Sequence, residues 1–254
     1  MTIRELYCAL DEMYPRSLSC SWDNDGLMVC SAPDTEVKRV LLALDASNEA
    51  IAYAIREGCQ VLLTHHPLLF RPMRNVTPDF LSGDRTLTAI RSDLAIMSFH
   101  TRLDAGQGGV NDALCETLGL TAAACFGNEE APALGRVAHL EEEMSLADFA
   151  ARVKAALGCS MVQFSGKRPV KTVAMVGGGG GDFIYSAKEA GADTYITGDT
   201  GYNVTLDAAD DGINIIQAGH YHTEAPVLSR LADLCRTLAG AECIFFDSNP
   251  IRVV

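Results

Sequence analysis

A chain of 254 residues, 48% apolar, 21% charged and only 7% aromatic, can bury a sizeable core in one large domain or two of ordinary size. Its formal net charge of −13, with no Lys/Arg run, speaks against nucleic acid as a partner, because phosphate contacts need clustered cations. No apolar run approaches the roughly 20 residues of a membrane span, and the N-terminus lacks a signal peptide's basic start and apolar stretch, so a cytoplasmic protein with no membrane partner is expected.

Thr2 and Glu5 stand in capping-box spacing, which predicts a helix at the start of the chain. Next comes Trp22-Asp23-Asn24-Asp25-Gly26-Leu27, a polar turn beside the only tryptophan. It has the usual turn residues, and as a functional loop it offers Asp23 or Asp25 as a general base. Residues 40–44 then read as a buried strand, 48–57 as a helix stopped by Gly58, and 61–64 as a second strand, together a βαβ unit. A strand over 94–99 leads into His100. A separate stretch from about 125 to 170 holds Glu141-Glu142-Glu143 and a helix over 146–157.

The βαβ plan then returns. Residues 173–176 and 194–197 read as strands flanking a helix over 183–190 with Gly191 as its stop, and 213–216 as a further strand. The glycine run 177–181 sits at a strand-to-helix junction, where phosphate is often cradled. It lacks the Lys-Ser/Thr of a P-loop, and no acidic residue stands convincingly placed for a ribose. A tight turn allowing close backbone approach is the expected role, and a dinucleotide-binding oxidoreductase is disfavoured. Nine cysteines, at 8, 20, 30, 59, 115, 125, 159, 235 and 243, show no CxxC spacing and read as buried thiols of a reducing compartment.

The chemistry is carried by histidines. Four of the six stand at strand ends beside carboxylates, where the loops of an open α/β sheet converge on one crevice. His65-His66 follows an apolar strand, and neighbours on an extended chain point to opposite sides, so the pair can serve two ions or straddle a bimetallic site. His100 with Asp104, and His220 with Glu224, have the spacing that puts both side chains on one face of a helical turn. Together His65, His66, His100, Asp104, His220 and Glu224 suit two divalent ions per chain, of Zn, Mn, Fe, Co or Ni type, with a carboxylate bridging them. His139 is expected in solvent. His222 could contact substrate or serve as an alternative ligand, but a bland role is favoured.

Shifted by 133 positions, Gly58 falls on Gly191, Thr64 on Thr197 and His65-His66 on Gly198-Asp199. The halves read either as a duplication or as a coincidence of common βαβ units. The expected fold is α/β, with two βαβ-based domains and the metal site between them. The division falls at 1–124 and 125–254, with an interleaved arrangement left open.

Leu63-Thr64-His65-His66-Pro67-Leu68, His100-Thr101-Arg102-Leu103-Asp104, Gly108-Gly109-Val110-Asn111-Asp112 and Gly219-His220-Tyr221-His222-Thr223-Glu224 resemble the GTP cyclohydrolase I type 2 homologues, also called Nif-three-like dinuclear metal-centre proteins. The Trp22 turn and Ile196-Thr197-Gly198-Asp199 fit the same family, and the likeness spans nearly the whole chain. It implies a two-domain protomer, a toroidal homohexamer with metals facing an inner cavity, and ligands at the six positions above. Two departures stand out: Cys30 where a small residue is usual, and Asn203 where many relatives carry a histidine near the site.

Metal-assisted hydrolysis of a nucleotide-like or other phosphorylated small molecule is the reaction such a centre suits best, with Asp104 and Glu224 as its catalytic carboxylates. The metals would also offset the repulsion of an acidic chain for an acidic substrate. The alternative is a non-catalytic metal-binding or metal-handling adaptor that acts as a ring-shaped oligomer.

Overall fold

The computed structural model describes residues 1–254, which divide into two compact units: Met1–Leu103 with Leu228–Pro250, and Asp104–Val227 with Ile251–Val254. Segment 104–124, placed by the sequence in the first domain, thus belongs with the second, while 228–250 returns to the first. Packing explains the first transfer. The helix Val110–Thr117 buries Leu114 and Cys115 in one cluster with Phe149, Val153 and Met175.

In chain order the first strands are β1 (Gly26–Val29), β2 (Arg39–Ala43), β3 (Val61–Thr64), β4 (Ala95–Ser98), β5 (Ala122–Phe126) and β6 (Gly135–Met144). They are followed by β7 (Gln163–Ser165), β8 (Val170–Val176), β9 (Thr194–Thr197), β10 (Asn214–Gln217) and β11 (Glu242–Phe245). The fold is α/β, with one mixed sheet in each unit. No helix is long and apolar enough to cross a membrane.

The first unit's sheet runs β1-β4-β3-β2-β11. All neighbours are parallel except β1, which pairs antiparallel with β4. β3 and β4 are buried at every position, as expected of parallel strands covered on both faces. Helices Asn48–Arg56 and Leu81–Arg91 make the crossovers, and Leu41, Ile51, Leu62 and Ile96 share the core. The predicted start is present: the Thr2 hydroxyl accepts from the Glu5 N–H, and the Glu5 carboxylate accepts from the Thr2 N–H.

The second unit's sheet runs β5-β6-β8-β9-β10-β7. Its middle, β8-β9-β10, is parallel and its flanks antiparallel. Helix Leu146–Leu157 begins at Ser145, whose hydroxyl accepts from the Asp148 N–H, and stops at the left-handed Gly158.

The two parallel triads repeat one plan bond by bond. β2 pairs Val40 with Val61, and β8 pairs Val173 with Thr194, both 133 residues on. The Cys59 N–H donates to the Ala54 carbonyl and Gln60 to Arg39; Ala192 donates to Ala187 and Asp193 to Thr172. The Gln60 side chain accepts from the Lys38 and Arg39 amides, as the Asp193 carboxylate does from Lys171 and Thr172. The third strand breaks the shift. Ala95 pairs with Val61, and Asn214 with Thr194, so the register there differs by 119. His100 therefore matches Gly219, and the two His-x-x-x-carboxylate pairs are one residue out of correspondence.

Candidate metal centre

In the first unit three neighbouring parallel strands end together, and polar residues follow each end: Asp45 after β2, His65 and His66 after β3, His100 after β4. β3 stops at Thr64. There the Thr64 hydroxyl donates to the His66 carbonyl at 2.8 Å and the His66 N–H donates to the Leu44 carbonyl at 2.9 Å. This turn gathers both imidazoles rather than sending them to opposite sides. Their ring centres are 4.9 Å apart and lie 5.2 and 5.7 Å from that of His100. One ligand atom from each of the three lies within 4.8 Å of the other two.

Each of these rings is held at Nδ1 by an oxygen. His65 Nδ1 lies 2.9 Å from the Phe99 carbonyl, which can only accept, so in the neutral ring Nδ1 carries the proton and Nε2 the lone pair. His66 Nδ1 meets Asp45 Oδ1 and His100 Nδ1 meets Asp23 Oδ1, both at 2.9 Å. Oxygen partners of this kind orient metal-binding imidazoles and raise their basicity. The donor set fits a borderline divalent ion through Nε2.

Asp23 and Asp25 are engaged as positioning groups, not presented as general bases. Asp23 accepts from the His100 ring and from the Thr101 amide and hydroxyl. Burial works to raise this carboxyl, but the bonds from His100 and Thr101 prevail and carry it down to about 2. Asp25 accepts from the His100 N–H at 3.0 Å and from Arg102 Nε at 2.9 Å. Arg102 is fully buried, also donates to Asp11 and to the Tyr14 carbonyl, and lies 4.4 Å over the Phe99 ring. The Trp22 turn is thus a clamp on the loop bearing His100.

The second unit contributes a different group. His220 and Glu224 occupy the short helix His220–Glu224 after β10, with Nε2 and Oε1 3.2 Å apart. His220 Nδ1 meets Asp199 Oδ2 at 3.0 Å, and Glu224 is buried. The glycine run closes on this pair. A Cβ at Gly178, where φ is +67°, would lie 2.1 Å from Glu224 Oε1 and 3.2 Å from His220 Nε2. Close backbone approach is therefore what the run provides. Asp104 is buried, and its carbonyl accepts from Asn111 Nδ2, while Asn111 Oδ1 accepts from the Gly177 N–H. That explains the Asn of the Gly108-to-Asp112 motif. Its Asp112 pairs with the buried Arg136 at 2.5 Å.

The remaining histidines stay apart from metal-capable groups. His139 is exposed on β6 beside the Thr172 hydroxyl, and the His222 ring packs edge-on to Tyr221. Asn203 lies exposed in helix Tyr202–Asp210. Sequence reasoning missed Asp45 and the positioning role of Asp23. Asp45 carried a usable signal, as the carboxylate immediately after the strand neighbouring the His65-His66 strand.

A family model described as Duf34/NIF3 (NGG1p interacting factor 3) matches residues 1–250. A Clostridium perfringens protein named GTP cyclohydrolase 1 type 2 homolog is 35% identical, covering 99% of this chain and 98% of its own. Among solved structures, a Staphylococcus aureus hypothetical protein superposes with a TM-score of 0.91 at 28% identity, over 100% of this chain and 99% of that one. A Bacillus cereus protein related to NIF3 gives 0.87 at 25% identity, with the same coverage.

Proposed function

Because this chain belongs to the Duf34/NIF3 family, we propose that it is a metal-dependent hydrolase of a nucleotide-like or other phosphorylated small molecule. The observation that carries this reading is the cluster of His65, His66 and His100, each with Nδ1 fixed by an oxygen. In this reading His65, His66, His100 and His220 supply imidazoles and Asp104 and Glu224 supply carboxylates to two divalent ions. Such ions, when bound, provide Lewis acidity toward a phosphoryl or ring carbon centre and make water a nucleophile near neutral pH.

The chain's own residues do the preparatory work. Asp23, Asp45 and Asp199 fix ring orientation, so little reorganisation is left for the moment of reaction. The Gly178 backbone closes one side of Glu224 and holds its carboxylate away from bulk water. The relatives' name points to GTP as the first substrate to assay, and the sequence's expectation of a cytoplasmic homohexamer belongs to the same reading.

A metal-handling adaptor is favoured by one observation: the two carboxylates best placed to act as bases, Asp23 and Asp25, are committed to His100, Thr101 and Arg102. The test is elemental analysis of purified protein beside a His66→Ala, Glu224→Ala double variant, followed by hydrolysis assays on GTP and other nucleotides with the resident metal. About two ions per chain, falling sharply in the variant, together with turnover lost in Asp104→Asn, is the expected result. A metal content unmoved by the variant overturns the ligand assignment. Metal without turnover of any nucleotide leaves the adaptor.

A further inference from the structure

Trp22 and Phe70 are half exposed, although the segments that carry them are firmly anchored. The Cys20 N–H donates to the Thr101 hydroxyl, Asp23 holds both Thr101 and the His100 ring, and the Asn24 side-chain amide donates to the Leu69 carbonyl. The Trp22 turn is therefore tied at one end to the loop of a metal-capable histidine and at the other to the residue before Phe70. The three rings form a nearly equilateral, edge-to-face cluster. Trp22 and Phe70 are 5.9 Å apart, Trp22 and His100 6.1 Å, Phe70 and His100 6.0 Å. Mutual edge-to-face packing of this kind leaves ring faces open for a further aromatic partner.

Two cations follow Phe70 on the same exposed segment. Arg71 and Arg74 are exposed, and neither has an ion pair or hydrogen bond, in a chain whose net charge is −13. Unneutralised arginines in such a chain are available for an anion, and the guanidinium fork suits phosphate.

We propose that Trp22 and Phe70 form the recognition wall for a planar heteroaromatic ring of the ligand, with Arg71 and Arg74 taking a phosphate attached to it. The ligand class is a nucleotide, held so that its reacting part lies against the His65, His66 and His100 group. This rests on the hydrolase reading for its purpose, but the binding itself does not depend on turnover. Stacking is tolerant of base identity, so the wall selects for a flat ring and not for one base.

The single tryptophan makes the test direct, since all indole emission comes from Trp22. Guanosine 5′-monophosphate, guanosine and ribose 5-phosphate are titrated separately into the full-length protein, with and without its metal, and metal content is measured on the same samples. The nucleotide is expected to quench Trp22 saturably, guanosine to do so more weakly, and ribose 5-phosphate to leave emission unchanged. Phe70→Ala should weaken nucleotide binding about tenfold. The double variant Arg71→Ala, Arg74→Ala should weaken the nucleotide and spare guanosine. Calorimetry on Trp22→Ala checks the loss without the fluorophore.

Trp22 emission indifferent to the nucleotide and to guanosine overturns the proposal. So does emission that responds only to protein concentration, which would assign the wall to a second copy of the chain. Quenching in protein that takes up no metal even when divalent ions are supplied supports the ring site while removing the hydrolase reading. Metal-loaded protein without quenching does the reverse.

Discussion

The two units build the same three parallel strands with matching hydrogen bonds, yet their strand ends differ in chemistry. After β3 the first unit has His65 and His66, and at the same place after β9 the second has Gly198 and Asp199. The first unit thus clusters three imidazoles from two adjacent strand ends. The second keeps one imidazole, turns the position of His66 into the carboxylate that holds it, and adds Glu224. One rule is common to both units: each of these four imidazoles has an oxygen on Nδ1, whether from a carbonyl or an aspartate. Scaffolds of one plan fix where ligands can stand; the loops decide which ligands they are.

The sharpest way to break the second unit alone is at Gly178. Its left-handed φ and the 2.1 Å from a built Cβ to Glu224 Oε1 leave no room for a side chain. The Glu224 carboxylate is buried, and Gly178 is pinned by its N–H to the Thr223 hydroxyl and by its carbonyl, which accepts from the Thr197 hydroxyl and the Gly198 N–H, so relief must come from moving Glu224 away from His220. Gly178→Ala should cost roughly 2–4 kcal/mol and lower the melting midpoint by about 5–10 °C, as calorimetry would show. Metal bound through His220 and Glu224 should be lost while metal bound through the three imidazoles persists. A fully stable variant with unchanged metal content would mean that the close approach is not required.

A second substitution breaks the first unit by a subtler route. Asp23 is held at about 2 in the folded chain, below its ordinary carboxyl value of 3.8. A depressed pKa contributes stability that is complete above the unfolded value and is lost as pH falls from about 4 toward about 2, on the order of 1–2 kcal/mol. Asp23→Asn should remove that acid limb from a denaturation series and, with His100 no longer held by a carboxylate, weaken metal about 10- to 100-fold. If the acid limb survives in the variant, other carboxylates account for it.

Much of this arrangement is legible in the sequence. β3 and β9 match their sequence bounds residue for residue, as does helix Leu146–Leu157, because each is a short apolar or amphipathic run with clear punctuation. The metal-capable histidines were legible for the same reason, as polar residues abruptly ending apolar strands. Less could be read where meaning depends on distant partners. β7 and β11 add to sheets next to strands far away in sequence, and nothing local in Gln163–Ser165 or Glu242–Phe245 names those neighbours. Asp23 looked like a base because its turn is polar, and only the fold shows His100 and Thr101 filling its oxygens. The one-residue slip between the two His-x-x-x-carboxylate pairs was hidden because sequence spacing cannot reveal ladder register.

The smallest expected effect tests how far the equivalence of the two units extends. Gly58 and Gly191 close equivalent helices with φ of +67° and +86°, and a Cβ at either would meet nothing within 4 Å. The cost of alanine there is purely conformational, the penalty of an L-residue in the left-handed region, and should be about 1 kcal/mol at each site. The two variants should therefore shift denaturation by matching amounts, and both should keep their metal, since neither glycine approaches a ligand. A large difference between Gly58→Ala and Gly191→Ala would show that equivalent caps carry unequal loads, so that the shared hydrogen-bond pattern is not matched by shared energetics. Equal shifts would place the divergence of the two units entirely in the loops beyond the strand ends, where one unit carries three imidazoles and the other a single imidazole with two carboxylates.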